Sequence, residues 1–315
     1  SDGAWNGGGA LQLDEDGVFN FTTVTVPDGN TLSFLKNTAD TPVVIAATGD
    51  VVIEGTVTVS AGNFSRTASG PGGGLGGFFG SGAQSGTAGT GPSPGAGGAF
   101  PPTQKPGNAG GGGGMASAGL VAVRYSNSEP APPGPAIGFP GAVGGSGGGG
   151  GSGWIFFGVT LDGGAGGAGG GGLTITTPGK IVINGAVLAD GGHGAWAFAN
   201  IGGYGGSGGG GSGGNIQLEA SRIELRSGSV ISARGGAGGG LSTQTVPLDP
   251  FRYSTGANGG VGYLLLATDE LVVATDANLD QVELVTRAAR IPVPFAALLL
   301  LAAAVAVLAI RARMV

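Results

Sequence analysis

The residues able to do chemistry are few and far apart. His193, in "DGGHGAW", is the only histidine, and there is no cysteine in 315 residues. One imidazole without a second histidine or a thiolate builds neither a His-rich metal site nor a Cys-His pair. A Ser-His-Asp triad stays formally open, but nothing near His193 favours it. Carboxylates are dispersed, and Asp50, Asp162, Asp190 and Asp269 fall where the chain turns, a place aspartate occupies for its own backbone hydrogen bonds. The glycine tracts contain many G-x-G-x-x-G matches that no helix-forming stretch follows, and Gly179-Lys180 is succeeded by Ile181 where a P-loop needs Ser or Thr. Calcium-binding nonapeptides of the G-G-x-G-x-D type lack their aspartate. No catalytic, cofactor-binding or metal site is therefore expected, and the chain is not read as an enzyme. The remaining candidates are three aromatics in or beside glycine tracts, Trp154, Trp196 and Tyr204. They could stack on sugars or serve as buried plugs between glycine segments.

Composition narrows the class. The chain holds 75 glycines and 18 prolines, enough to raise the question of low-complexity disorder, yet 40% of residues are hydrophobic and only 10% charged. A long chain this poor in charge must bury its apolar residues or aggregate. Net charge is −6, and the 13 basic residues are scattered, which argues against a nucleic-acid partner because phosphate neutralisation needs a basic stripe. Absence of cysteine fits an exported protein stabilised by a repetitive core, and a removed signal peptide would account for a chain that starts at Ser1.

Four stretches align beneath one another: "VVIAATGDVVIEGTVTVSAG" from Val43, "LTITTPGKIVINGAVLADGG" from Leu173, "IQLEASRIELRSGSVISARGG" from Ile216 and "YLLLATDELVVATDANLDQVELV" from Tyr263. Each offers an apolar strand, a polar corner (Gly49-Asp50, Gly179-Lys180, Ser221-Arg222, Asp269-Glu270), an alternating strand, a second corner and a third apolar run. Alternation at period two marks strands with one buried face. Short β-branched strands recurring between tight corners predict an all-β chain, best fitted by a parallel β-helix whose turns stack; a β-sandwich with long loops is the alternative. "FNFTTVTVPDGNTLSFLKN" from Phe19 has the same form and predicts a first turn, with Trp5, Leu11 and Leu13 closing the end.

The insertions "GGAGGAGGGG" from Gly163 and "GGYGGSGGGGSGG" from Gly202 repeat largely as Gly-Gly-x. A period of three suits extended helices of the polyglycine II kind packed beside the β-helix; flexible linkers are the other reading. Residues 69–140 carry most of the prolines and read as elaborated loops of the same body.

Between Phe295 and Ile310 there is no polar residue, and Arg311 and Arg313 follow directly. With Ile291, Pro292, Val293 and Pro294 the apolar run is long enough for a transmembrane helix with a cytoplasmic basic end. A short Pro motif, an apolar run and terminal arginines resemble the sorting signals of the PEP-CTERM type, and the body resembles Gly-rich pectin-lyase-like β-helix surface proteins. That resemblance implies processing by an exosortase-like enzyme and delivery to the surface or matrix of a Gram-negative cell. The Glu between prolines is absent here, so a variant sorting enzyme or permanent anchoring are the alternatives.

Three regions are expected: residues 1–42 as an N-terminal cap and first turn, 43–290 as the body, and 291–315 as the sorting segment. The function expected is an exported, membrane-tethered structural or adhesive protein of the cell surface or extracellular matrix. Its partners would be the membrane or sorting protease, extracellular polysaccharide and further copies of itself. A self-assembling fibre subunit and a polysaccharide-active enzyme are the alternatives.

Overall fold

The computed structural model describes residues 3–101, 107–122, 131–141, 143–156, 159–197, 199–200, 203–240 and 255–286. Among these residues there is no helix, and thus none long and apolar enough to cross a membrane. The transmembrane helix expected in 291–315 lies outside the described residues.

The aligned stretches do lie side by side, in parallel and in register. Leu173 is the partner of Val43 on one side and of Ile216 on the other, and Ile216 pairs in turn with Leu264. A second row places Val24, Val51, Ile181, Ile223 and Leu271 in line, and a third aligns Val57, Val187 and Ile231. Because alternate residues of each strand face inward, these rows stack β-branched and leucine side chains into one core. Ile175, Ile181, Ile183, Val187, Ile216, Leu218, Ile223 and Leu264 are all completely buried there.

The architecture expected from the repeat is corrected by how the rows join. Strands Gly262–Val273 and Asn278–Thr286 pair with each other, Leu264 against Leu284, which links the first two rows to the third. The result is a single 15-stranded sheet whose path starts at Trp5–Asn6 and ends at Gly9–Gln12, strands separated only by Gly7 and Gly8. It is a near-closed parallel barrel, not a β-helix solenoid. The polar corners also differ among themselves. Those at Gly49-Asp50 and Gly179-Lys180 interrupt the chain, whereas Ile216–Leu225 and Gly262–Val273 run straight through Ser221-Arg222 and Asp269-Glu270. Glycine is present at the two corners that break and absent from the two that do not. Polar residues without glycine leave an extended backbone intact when both neighbours can pair with it.

Beside the barrel, the glycine tracts form a second solid. Segment 144–153 is bonded through its backbone to six others. It donates to 163–172 (Gly145 to Gly170, Gly148 to Gly167, Gly151 to Gly164), to 84–90 (Gly147 to Thr90, Gly150 to Thr87) and to 107–114 (Gly149 to Gly111, Ser152 to Asn108). It accepts from 72–80 (Gly74 to Gly145, Gly77 to Gly148, Gly80 to Gly151), from 95–98 (Gly95 to Gly147, Gly98 to Gly150) and from 205–214 (Gly206 to Ser152, Gly209 to Gly149). The partners advance three residues at a time, the spacing of the Gly-Gly-x repeat. This bundle satisfies the donors and acceptors that a buried, side-chain-poor backbone would otherwise leave stranded. It also explains why the non-glycine positions inside it are small: Ser146, Ser152, Ser207, Ser212 and Ala168 are all fully buried.

Candidate aromatic surface site

Residues 61–68 connect the barrel to the bundle and form a strap bonded to segment 189–196 on one side and to segment 72–80 on the other. Gly62 donates to the carbonyl of Ala68, closing the strap on itself, and Ala61 donates to Asp190. On one flank the Phe64 N–H donates to the carbonyl of His193, while the His193 N–H donates to the Asn63 side chain at 3.3 Å. On the other flank Gly76 donates to the carbonyl of Arg66. Phe64 sits at φ 57°, a left-handed conformation that a non-glycine residue adopts only when its surroundings impose it. These bonds impose it, and they turn the Phe64 ring outward.

The outward ring is not alone. Phe64 is 54% exposed and lies 5.4 Å, centroid to centroid, from Trp196, which is 51% exposed, and 5.8 Å from the imidazole of His193. Across the strap the Arg66 guanidinium rests 3.2 Å from the centre of the Phe78 ring, itself 53% exposed. Phe78 follows Gly76-Gly77 at the position of the tract that can carry a side chain, and Phe79 beside it is also exposed. The site therefore draws on three backbones held together by the glycine bundle: segment 72–80, the strap and segment 189–196. Segments 72–80 and 189–195 both bond to 163–172, through Gly166 to Gly77 and Ala195 to Ala165. Three half-exposed aromatic rings, Phe64, Trp196 and Phe78, thus border one strap.

His193 has a fixed orientation. Its Nδ1 accepts the N–H of Ala237 at 2.7 Å. A ring nitrogen that accepts has no proton of its own, so the neutral imidazole carries its hydrogen on Nε2 and can act there as a donor.

The sequence candidates fare unequally. Trp196 stands in the row. Trp154 is 5% exposed and packs in the two-stranded hairpin Trp154–Phe156 with Val159–Leu161, opposite Leu161, so it presents no face to solvent. Tyr204 lies in strand Gly203–Tyr204, paired with Ala199–Asn200, and its side chain is outside the described residues. Ile291, Pro292, Val293, Pro294, Phe295, Ile310, Arg311 and Arg313 are outside them as well. Sequence reading missed Phe64, Arg66 and Phe78. The available signals were a phenylalanine in the polar turn "GNFSR" and one in a Gly-Gly-x tract, where small residues prevail.

Two other constellations have a structural account. Ser146, Ser207 and Ser212 each sit at the centre of "GGSGG", the lettering of a nucleophile elbow. The Ser146 hydroxyl accepts the N–H of Ser93 at 2.8 Å and the Ser212 hydroxyl that of Ser146 at 2.7 Å, while Ser207 donates to the carbonyl of Gly240. They are buried struts. On the barrel, Glu224 meets Arg222 at 2.8 Å and Arg226 at 3.2 Å, and Arg222 also meets Glu270 at 2.8 Å. Burial raises the Glu224 pKa, but the hydrogen bonds and charges of Arg226 and Arg222 outweigh it and hold the carboxyl below its ordinary value. An acid held ionised by two arginines is poorly placed to donate a proton. Asp190, near the strap, is likewise committed to Ser232, the Arg234 N–H and the Arg234 guanidinium. Among the described residues no group of three His, Asp or Glu side chains converges as a metal site. Compared with protein families, curated proteins and solved structures, the chain matches none of them.

Proposed function

We propose that this chain is an exported structural and adhesive protein of the cell surface or extracellular matrix, sorted or tethered through residues 291–315, and that it is not an enzyme. The observation that carries the reading is the glycine bundle, in which segment 144–153 bonds to six neighbouring segments. Such a scaffold holds no charge to titrate and offers a protease little extended backbone to seize, properties suited to the outside of a cell. The barrel beside it contributes a large apolar core of the ordinary kind. Among the described residues the largest charged cluster, Arg222, Glu224, Arg226 and Glu270, is paired internally.

The test is cellular. In a Gram-negative host, with an export leader supplied, the full chain should fractionate with the envelope and be labelled by a membrane-impermeant reagent. Deleting residues 291–315 should release a folded body into the medium or periplasm. A truncated chain that remains envelope-bound would defeat the tethering role, and a full chain that cannot be labelled from outside would defeat the surface assignment. Purified body should also survive hours of broad-specificity protease at a ratio that cleaves ordinary domains within minutes.

A further inference from the structure

We propose that the row formed by Phe78, Arg66, Phe64, Trp196 and His193 binds a linear polysaccharide, laid across the strap so that sugar rings stack on the aromatics. The proposal rests on the adhesive reading and supplies its ligand class.

Three features point to a sugar chain. The rings occur at two stations, Phe64 with Trp196 on one flank and Phe78 on the other, and Arg66 belongs to the strap between them. An extended ligand can touch both stations, whereas a small molecule reaches one. Each station pairs an aromatic ring with a polar group: the guanidinium of Arg66 stacked on one face of Phe78, and the Nε2–H of His193 beside Phe64. A pyranose has the same division, with C–H groups on its faces and hydroxyls round its rim, so apolar stacking and hydrogen bonding are satisfied together. The strap between the stations carries only short polar side chains beside Arg66, among them Ser65 and Thr67, whose hydroxyls are bonded to each other at 3.4 Å. A protein partner needs roughly 800 Å² per side, with a packed centre and a polar rim. Three rings bordering one short strap provide little of either, but they are sufficient for a single glycan strand.

Preorganisation supports the same conclusion. The strained Phe64 backbone and the bonds from Phe64 to His193, His193 to Asn63 and Ala237 to His193 fix two loops distant in sequence before any ligand arrives. A site fixed in this way loses little side-chain freedom on binding.

The experiment is affinity electrophoresis of the full chain in native gels containing hydroxyethylcellulose, a neutral glucan, or polygalacturonate, an anionic one. Retardation by at least one is expected, and it should fall roughly tenfold or more in Trp196→Ala and in Phe64→Gly. Glycine accepts the positive φ at position 64, so the second variant removes the ring without disturbing the strap. Phe64→Tyr should restore binding. Retardation by polygalacturonate alone, lost in Arg66→Gln, would assign the anionic class; retardation by the glucan would assign the neutral one. Thermal unfolding of each variant within a few degrees of the parent confirms that folding is intact. No retardation by either polymer, or retardation unchanged by Trp196→Ala and Phe64→Gly, overturns the proposal and leaves the surface assignment standing. Concentration-dependent self-association in sedimentation, abolished by Trp196→Ala, would mean that the row contacts a second copy, and that also overturns it.

Discussion

Gly166 and Gly167 are consecutive, yet a Cβ on each would strike a different neighbour, the carbonyl of Gly148 for the first and that of Gly192 for the second. Neither contact has a flexible side chain that could yield, because both obstacles are backbone. Replacing the pair with valine should therefore lower stability by about 1–3 kcal/mol per site, the range of core overpacking. Ala165→Ser, at a half-buried neighbouring position, should stay within about 0.5 kcal/mol. Thermal or denaturant unfolding distinguishes the two, and equal small effects would mean that these glycines do not pack. Glu224 gives a second residue-level expectation. Its folded pKa is depressed, so it contributes stability above the ordinary carboxylate value and loses that contribution as pH falls through the lowered folded value. The difference in melting temperature between wild type and Glu224→Gln should be greatest near neutrality and vanish in strong acid.

The strand Gly262–Val273 shows what an element adds beyond its residues. Leu264 is completely buried and has a partner on each side, Ile216 and Leu284. Leu264→Ala should cost about 2–5 kcal/mol, measured by denaturant unfolding, because the space it leaves is walled by paired backbones that cannot easily collapse. One residue earlier, the Tyr263 hydroxyl donates to the carbonyl of Ile137, and its pKa is raised by burial and then by the charge of Glu283. A phenol whose folded pKa is raised contributes stability below its ordinary value, near 10, and loses it as pH rises toward the folded value. Tyr263→Phe should remove that alkaline component of the unfolding profile. The inward positions of these strands could be read from period-two alternation, since it depends only on which face each residue takes. Pairing between Gly262–Val273 and Asn278–Thr286 could not. It depends on a long strand bending back on its successor, and no local pattern distinguishes that from continued stacking.

At the scale of the molecule, two solids of opposite construction share one chain: a barrel held by side chains and a bundle held by main chain. The three-residue spacing of the glycines was visible in the sequence. Which segments would lie together was not, because glycine carries no side chain to specify a neighbour. The aromatic row was hidden for a related reason, since Phe64, Phe78 and Trp196 come from stretches that only the bundle brings into proximity. Hydrogen exchange should show the division directly. Amides 145–153 are enclosed on all sides and should exchange among the slowest in the chain, while those of the strap at 62–68 should exchange sooner. Fast exchange in 145–153 would contradict the bundle.

The six-sided bonding of segment 144–153 also bears on how the protein carries load. A sheet resists force well within the plane of its ladder and poorly across it, because only dispersion contacts join one face to the next. Around a strand bonded on six sides there is no weak plane, so a pull applied at the aromatic row is shared among hydrogen bonds radiating in every transverse direction. In the proposed surface role, such a core would yield no more easily to one transverse pull than to another.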